Sequence, residues 1–245
     1  MTELKGRVAL VTGGAVRVGR VLALSLARAG VDVAVHHNRS LAEARATAFA
    51  ISEMGTRATL VQGDLVDADV PARLLAEASA ELGPVDILVN NASLFDQGRF
   101  AATDLEVWSR MQRINLRAPL LLSQAFAAAL PPDREGDIVN LNDIHALRPR
   151  ADYFAYTQSK AALHDLTRNL ALALAPRVRV NEIALGAVLP PASPPESYAH
   201  VSRDALPLRR FPTPDDVADA LLFLLGCRAV TGQTIRVDSG EHLGA

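Results

Sequence analysis

The chain has 245 residues, 49% of them hydrophobic and 21% charged, and a formal net charge of −2. Its length suits one α/β domain or two small ones, and its near-neutral balance gives no reason to expect nucleic acid or an anionic membrane as partner. One cysteine, Cys227, excludes an internal disulfide and a cysteine-based metal site.

In chain order, short strands rich in valine and isoleucine are predicted over residues 8–11, 31–36, 58–62, 87–90, 137–141, 179–184 and 234–237. Most lack polar alternation, as strands buried on both faces do. Stretches with helical spacing predict helices over 18–29, 41–54, 68–82, 105–130, 153–175 and 215–225. Strands alternating with helices imply right-handed crossovers. The expected fold is therefore α/β: one Rossmann domain over residues 1–245, a doubly wound, seven-stranded parallel sheet with helices on both faces. Residues 187–214 break the rhythm with seven prolines: Pro190, Pro191, Pro194, Pro195, Pro207, Pro212 and Pro214. So long an irregular segment reads as a substrate loop. The N-terminus has no signal-peptide architecture and no apolar run approaches a membrane span, so a soluble, cytoplasmic protein is expected.

The first strand runs into Thr12-Gly13-Gly14-Ala15-Val16-Arg17-Val18-Gly19. Gly13 and Gly19 let this backbone, Val18 included, approach a pyrophosphate at a helix N-terminus, where free N–H groups and the dipole favour anions. The second strand exits through His36-His37-Asn38-Arg39-Ser40, with no carboxylate to take a ribose 2′-OH; Asp32 stands at its other end. Arg39 and Ser40, beside His37 and with Arg17 from the turn, suit a 2′-phosphate, so NADP(H) is expected as the cofactor. Asp64, after the third strand, can accept from the adenine amino group.

Tyr156 and Lys160 are i, i+4 neighbours on one helical face. A phenol with pKa about 10 is a poor proton donor at neutral pH, and a nearby ammonium lowers that value. The chain has three tyrosines but only two lysines, Lys5 and Lys160, among 25 basic residues, which makes a chance pairing improbable. His145, His164 and His242 show no metal-ligand spacing, and no metal is expected.

With these residues in view, the chain resembles the short-chain dehydrogenases/reductases over essentially its whole length. The resemblance rests on Thr12, Gly13 and Gly19, on Asn90-Asn91-Ala92-Ser93, on Asn115, and on Tyr156 with Lys160. It implies that Lys160 also holds the nicotinamide ribose, that Asn115 supports a water chain to Lys160, and that Asn91, Ala92, Ser93 and Gly186 line the cofactor site. It also implies a homodimer or homotetramer, formed through the Ala/Leu-rich helices 105–130 and 153–175.

Three departures are similar to the pteridine reductases within that family. Arg17 replaces a middle glycine, Ser93 closes the Asn-Asn-Ala motif, and Asp143 replaces the catalytic serine. In that group an aromatic at the position of Phe95 stacks on the pterin, and Arg17 and Ser93 contact it. Asp143 also carries a physical argument. An ionised carboxylate would repel the oxyanion of a ketone reduction, whereas a ring nitrogen must gain a proton as hydride arrives at carbon. The bland alternative is a carboxylate paired with Arg148 or Arg150. The expected activity is NADPH-dependent reduction of a C=N bond in a pterin or related small-molecule substrate, with Asp143, Tyr156, Lys160 and Asn115 as catalytic residues. The rivals are a carbonyl reductase and a non-catalytic NADP(H)-sensing protein. Leu185-Gly186 stands where the family has Pro-Gly.

Overall fold

The computed structural model describes residues 4–190 and 202–244. Strands β1 (Val8–Val11), β2 (Asp32–His37), β3 (Ala58–Gln62), β4 (Ile87–Asn90), β5 (Gly136–Asp143), β6 (Val178–Leu185) and β7 (Thr234–Val237) form one parallel sheet. Their order is β3-β2-β1-β4-β5-β6-β7. All of β1 and β4 is buried, as their unbroken apolar runs require.

Side chains alternate along each strand, so the sheet feeds two cores. On one face α1 (Arg17–Arg28), α2 (Leu41–Ser52) and α7 (Pro214–Gly226) set Leu22, Leu26, Ile51 and Leu221 against Val11, Val33 and Val89. On the other, α3 (Val70–Leu82) and α5 (Ala118–Ala129) set Leu74, Leu122 and Phe126 against Leu10, Leu88 and Ile138, beside α6 (Phe154–Ala173). The sequential order reverses between β1 and β4, which opens a crevice at their carboxyl ends.

Two departures from the sequence reading matter for function. Strands β5 and β6 are longer than predicted, because their register pairs Gly136 through Asp143 with Val178 through Leu185 without a break. Asp143 is therefore anchored as a strand terminus. The helix predicted over 105–130 is interrupted: α4 (Leu105–Gln112) passes through a π segment, Arg113–Arg117, before α5 begins. The segment carries Asn115 at its centre, and Pro119, which lacks an N–H, falls in the first turn of α5. Of the proline-rich segment, Pro191, Pro194 and Pro195 lie outside the described residues. Its far end passes a 3-10 turn at Arg203–Ala205 and enters α7 through a Thr213–Asp216 capping box. Among the described residues no helix is long and apolar enough to cross a membrane.

Candidate active site

A cleft of about 610 Å³ lies at the crevice. It brings together Gly13, Arg17, Val18 and Gly19 from the glycine turn, Asn91, Ala92, Ser93 and Phe95 after β4, Asp143, Tyr156 and Lys160, and Gly186 after β6.

The turn is built for close approach. Gly13 holds φ +62°, and a Cβ on Gly19 would lie 2.2 Å from the Gly13 carbonyl oxygen. Helix α1 has Val16 at its N-cap and no side-chain cap, which leaves its first N–H groups for an anionic ligand. Arg17 adopts φ +54°, in the left-handed region, and its guanidinium donates to the Pro190 carbonyl. That backbone costs a non-glycine residue about 1–2 kcal/mol.

His36 is not part of a basic strand exit. Its Nδ1 accepts from the Gly13 N–H at 3.0 Å, so Nε2 carries the proton toward the Gly63 carbonyl, also at 3.0 Å. Burial pushes its pKa down to about 4, so the neutral ring staples the glycine turn to the end of β3. His37 is buried with its Nδ1 unpartnered among the described residues, Arg39 is exposed and Ser40 half-buried. None of these three lines the cleft. Nor does Asp64, whose Oδ1 accepts from the Val66 N–H at 3.0 Å. The uncapped α1, the orphaned His37 nitrogen and the exposed Arg39 fit a phosphate-bearing dinucleotide laid across this edge.

At the other end of the cleft, Tyr156 Oη donates to Asp143 Oδ2 at 2.7 Å, while Asp143 Oδ1 accepts from the His145 N–H at 2.8 Å. The arginines weighed as partners for Asp143 go elsewhere: Arg150 pairs with Asp152 at 2.6 Å, and Arg148 donates to the Glu241 carbonyl. Lys160 is fully buried, with Nζ donating to the Leu141 carbonyl at 2.9 Å and lying 5.8 Å from the Tyr156 ring centroid. Desolvation lowers its pKa to about 8, against the pull of the Asp143 and Glu182 carboxylates. Phe95 stacks on Tyr153 at 4.6 Å and meets Tyr156 edge-on at 4.7 Å, which makes an aromatic wall beside the proton donors.

Asn115 sits behind the cleft. It is buried outside the cleft lining, its Oδ1 accepting from the Leu94 N–H at 2.8 Å and Ser93 Oγ at 3.1 Å. Its Nδ2 donates to the Leu94 carbonyl and to Ser159 Oγ, each at 3.0 Å. The side chain ties the loop after β4 to α6 and makes no hydrogen bond to Lys160 among the described residues. Sequence reasoning also passed over Tyr153, whose spacing three residues before Tyr156 was an available signal. Glu241 lines the cleft as well, with Oε2 accepting from the Ala187 N–H at 3.2 Å and burial raising its pKa; nothing local marks it. Among the described residues, no group of three or more His, Cys, Asp or Glu could hold a metal ion.

The family model described as enoyl-(acyl carrier protein) reductase matches residues 14–242. L-rhamnose 1-dehydrogenase (NAD(P)(+)) of Sphingomonas sp. (strain SKA58) is 30% identical over 99% of each chain. FolM alternative dihydrofolate reductase 1 from Brucella canis, solved with NADP, is 40% identical with a TM-score of 0.92, covering 100% of this chain and 97% of that one. A short chain dehydrogenase from Burkholderia cenocepacia J2315, also solved with NADP, is 33% identical with a TM-score of 0.90, over 98% and 99% of the two chains. The chain belongs to the short-chain dehydrogenase/reductase family of oxidoreductases.

Proposed function

We propose that this short-chain dehydrogenase/reductase is an NADPH-dependent reductase of a C=N bond in a pterin or related heteroaromatic ring. The observation that carries the reading is the 2.7 Å hydrogen bond from Tyr156 to Asp143, a carboxyl group where the family usually has serine.

Bound NADPH supplies the hydride. Gly13, Val18 and Gly19 offer backbone to its phosphates, Arg39 and Ser40 with Arg17 suit its 2′-phosphate, and Lys160 holds the nicotinamide ribose. As the substrate carbon is reduced, the adjoining ring nitrogen needs a proton. Tyr156 delivers its hydroxyl proton, a solvent proton relayed through Asp143 restores it, and the Lys160 charge stabilises the phenolate between the two events. The Phe95–Tyr153 stack offers a flat apolar wall to a planar ring. Likeness to an alternative dihydrofolate reductase solved with NADP supports both cofactor and substrate class. We include in the proposal a cytoplasmic homodimer or homotetramer, supported by the exposed Leu105 on α4 and Leu172 on α6.

Incubation with NADPH and a panel of dihydropterins, dihydrofolate and simple ketones, followed by loss of NADPH absorbance, tests the reading. Pterin or dihydrofolate turnover is expected, and Asp143→Ser should slow it about 100-fold. Ketone reduction with every pterin ignored would sink the proposal in favour of a carbonyl reductase, the reading that the L-rhamnose dehydrogenase relative favours. NADP binding with no turnover of any substrate would instead support a sensing protein.

A further inference from the structure

We propose that Glu182 is a positioning residue and a buried counter-charge for the reductive site, acting on Asp143 and Lys160 together through Asn142. Glu182 lies within β6, between Asn181 and Ile183, and is only 1% exposed. A carboxylate in such a place is costly unless donors surround it. Four side chains do. Asn142 Nδ2 at 2.8 Å and Thr167 Oγ1 at 3.3 Å approach Oε2, and His164 Nδ1 at 2.6 Å and Thr234 Oγ1 at 2.7 Å approach Oε1.

Asn142 is the link to the chemistry. The same Nδ2 also donates to the Lys160 carbonyl at 3.2 Å, while Oδ1 accepts from the Asp143 N–H at 2.9 Å. One amide, gripped from behind by Glu182, therefore fixes the backbone of two reactive groups that sit on different elements.

The charge has a second use. The groups facing Lys160 are Asp143 from β5, Glu182 from β6 and Tyr156 from its own helix; those facing Glu182 are His164, Asn142, Thr167 and Thr234. Asp143, which also feels Glu241, lies in the cleft and exchanges protons in the proposed cycle. Each time it is protonated, Lys160 loses one of its two carboxylates. Glu182, outside the cleft, keeps the other in place.

The inference rests on Lys160 serving the proposed reductase, yet its test needs no substrate. Because Lys5 and Lys160 are the only lysines, [13C]lysine labelling gives two Cε signals, and exposed Lys5 serves as the internal reference. In wild-type protein Lys160 should titrate near 8. Glu182→Gln should lower that midpoint by roughly 0.5–1 pH unit, and Glu182→Asp, which keeps the charge, should restore most of it. If Glu182→Gln does not fold, Glu182→Gln combined with His164→Leu also removes the ring that meets Oε1, and the same fall is expected. An unmoved midpoint in either folded variant would overturn the proposal, as would a wild-type Lys160 titrating with Lys5. Absence of pterin turnover would leave this result standing and bear only on the substrate.

Discussion

Replacing Lys160 by methionine should make the protein more stable and inactive at once. Holding the ammonium charged in its buried place lowers its pKa from 10.5 to about 8, net of the attraction to Asp143 and Glu182. At about 1.4 kcal/mol per pH unit that is a cost of roughly 3 kcal/mol at neutral pH. Methionine keeps most of the aliphatic stem, and loss of the hydrogen bond to Leu141 offsets about 1 kcal/mol. A net gain of about 2 kcal/mol at pH 7 is expected. The unfolded lysine keeps its proton until near 10.5, whereas the folded one releases it near 8, so between these values the unfolded chain binds more protons and wild-type stability rises with pH. The advantage of Lys160→Met should therefore shrink across that window. Urea unfolding of both proteins at pH 7 and pH 10, with NADPH oxidation measured alongside, reads all three quantities. A variant less stable than wild type at pH 7, or a stability gap that does not change with pH, would refute the reasoning.

Arg39→Ala should weaken NADPH binding about 10-fold or more while leaving NADH binding nearly unchanged, read by quenching or transfer of protein fluorescence. His36 gives a pH dependence of the same sign as Lys160, in a more acidic window. Its pKa falls from 6.5 to about 4 on folding, so wild-type stability should decline as pH drops from 6.5 toward 4, by up to roughly 3 kcal/mol. His36→Gln should flatten that decline in urea titrations at pH 4.5 and 7; an equally steep loss in the variant would show that another group is responsible.

The strands were legible because parallel strands buried on both faces read as continuous apolar runs. Their ends were not: Asn142 and Asp143 look like a loop until β6 satisfies their backbone. Tyr156 and Lys160 could be found because one helix fixes their geometry and lysine is scarce here. The work of His36 and Asn115 depends on groups brought together from separate strands and helices, and no local spacing encodes that. Glu182 does carry its own mark, a carboxylate in the middle of a buried strand, though only the structure shows which donors meet it.

The widened turn at Arg113–Arg117 also sets the tolerance of this region to insertion and deletion. On an unbroken helix Met111 and Leu122 would share one stripe, since eleven residues make about three turns. The extra residue puts them out of phase, so Met111 packs with Tyr153 and Tyr156 while Leu122 packs against the sheet. Removing one residue from this turn would close it into regular helix, leaving Met111 and Leu122 ten residues apart and still out of phase, but it would swing Asn115 off the loop it holds. Exposed Arg113 can change identity freely, but the number of residues here cannot change.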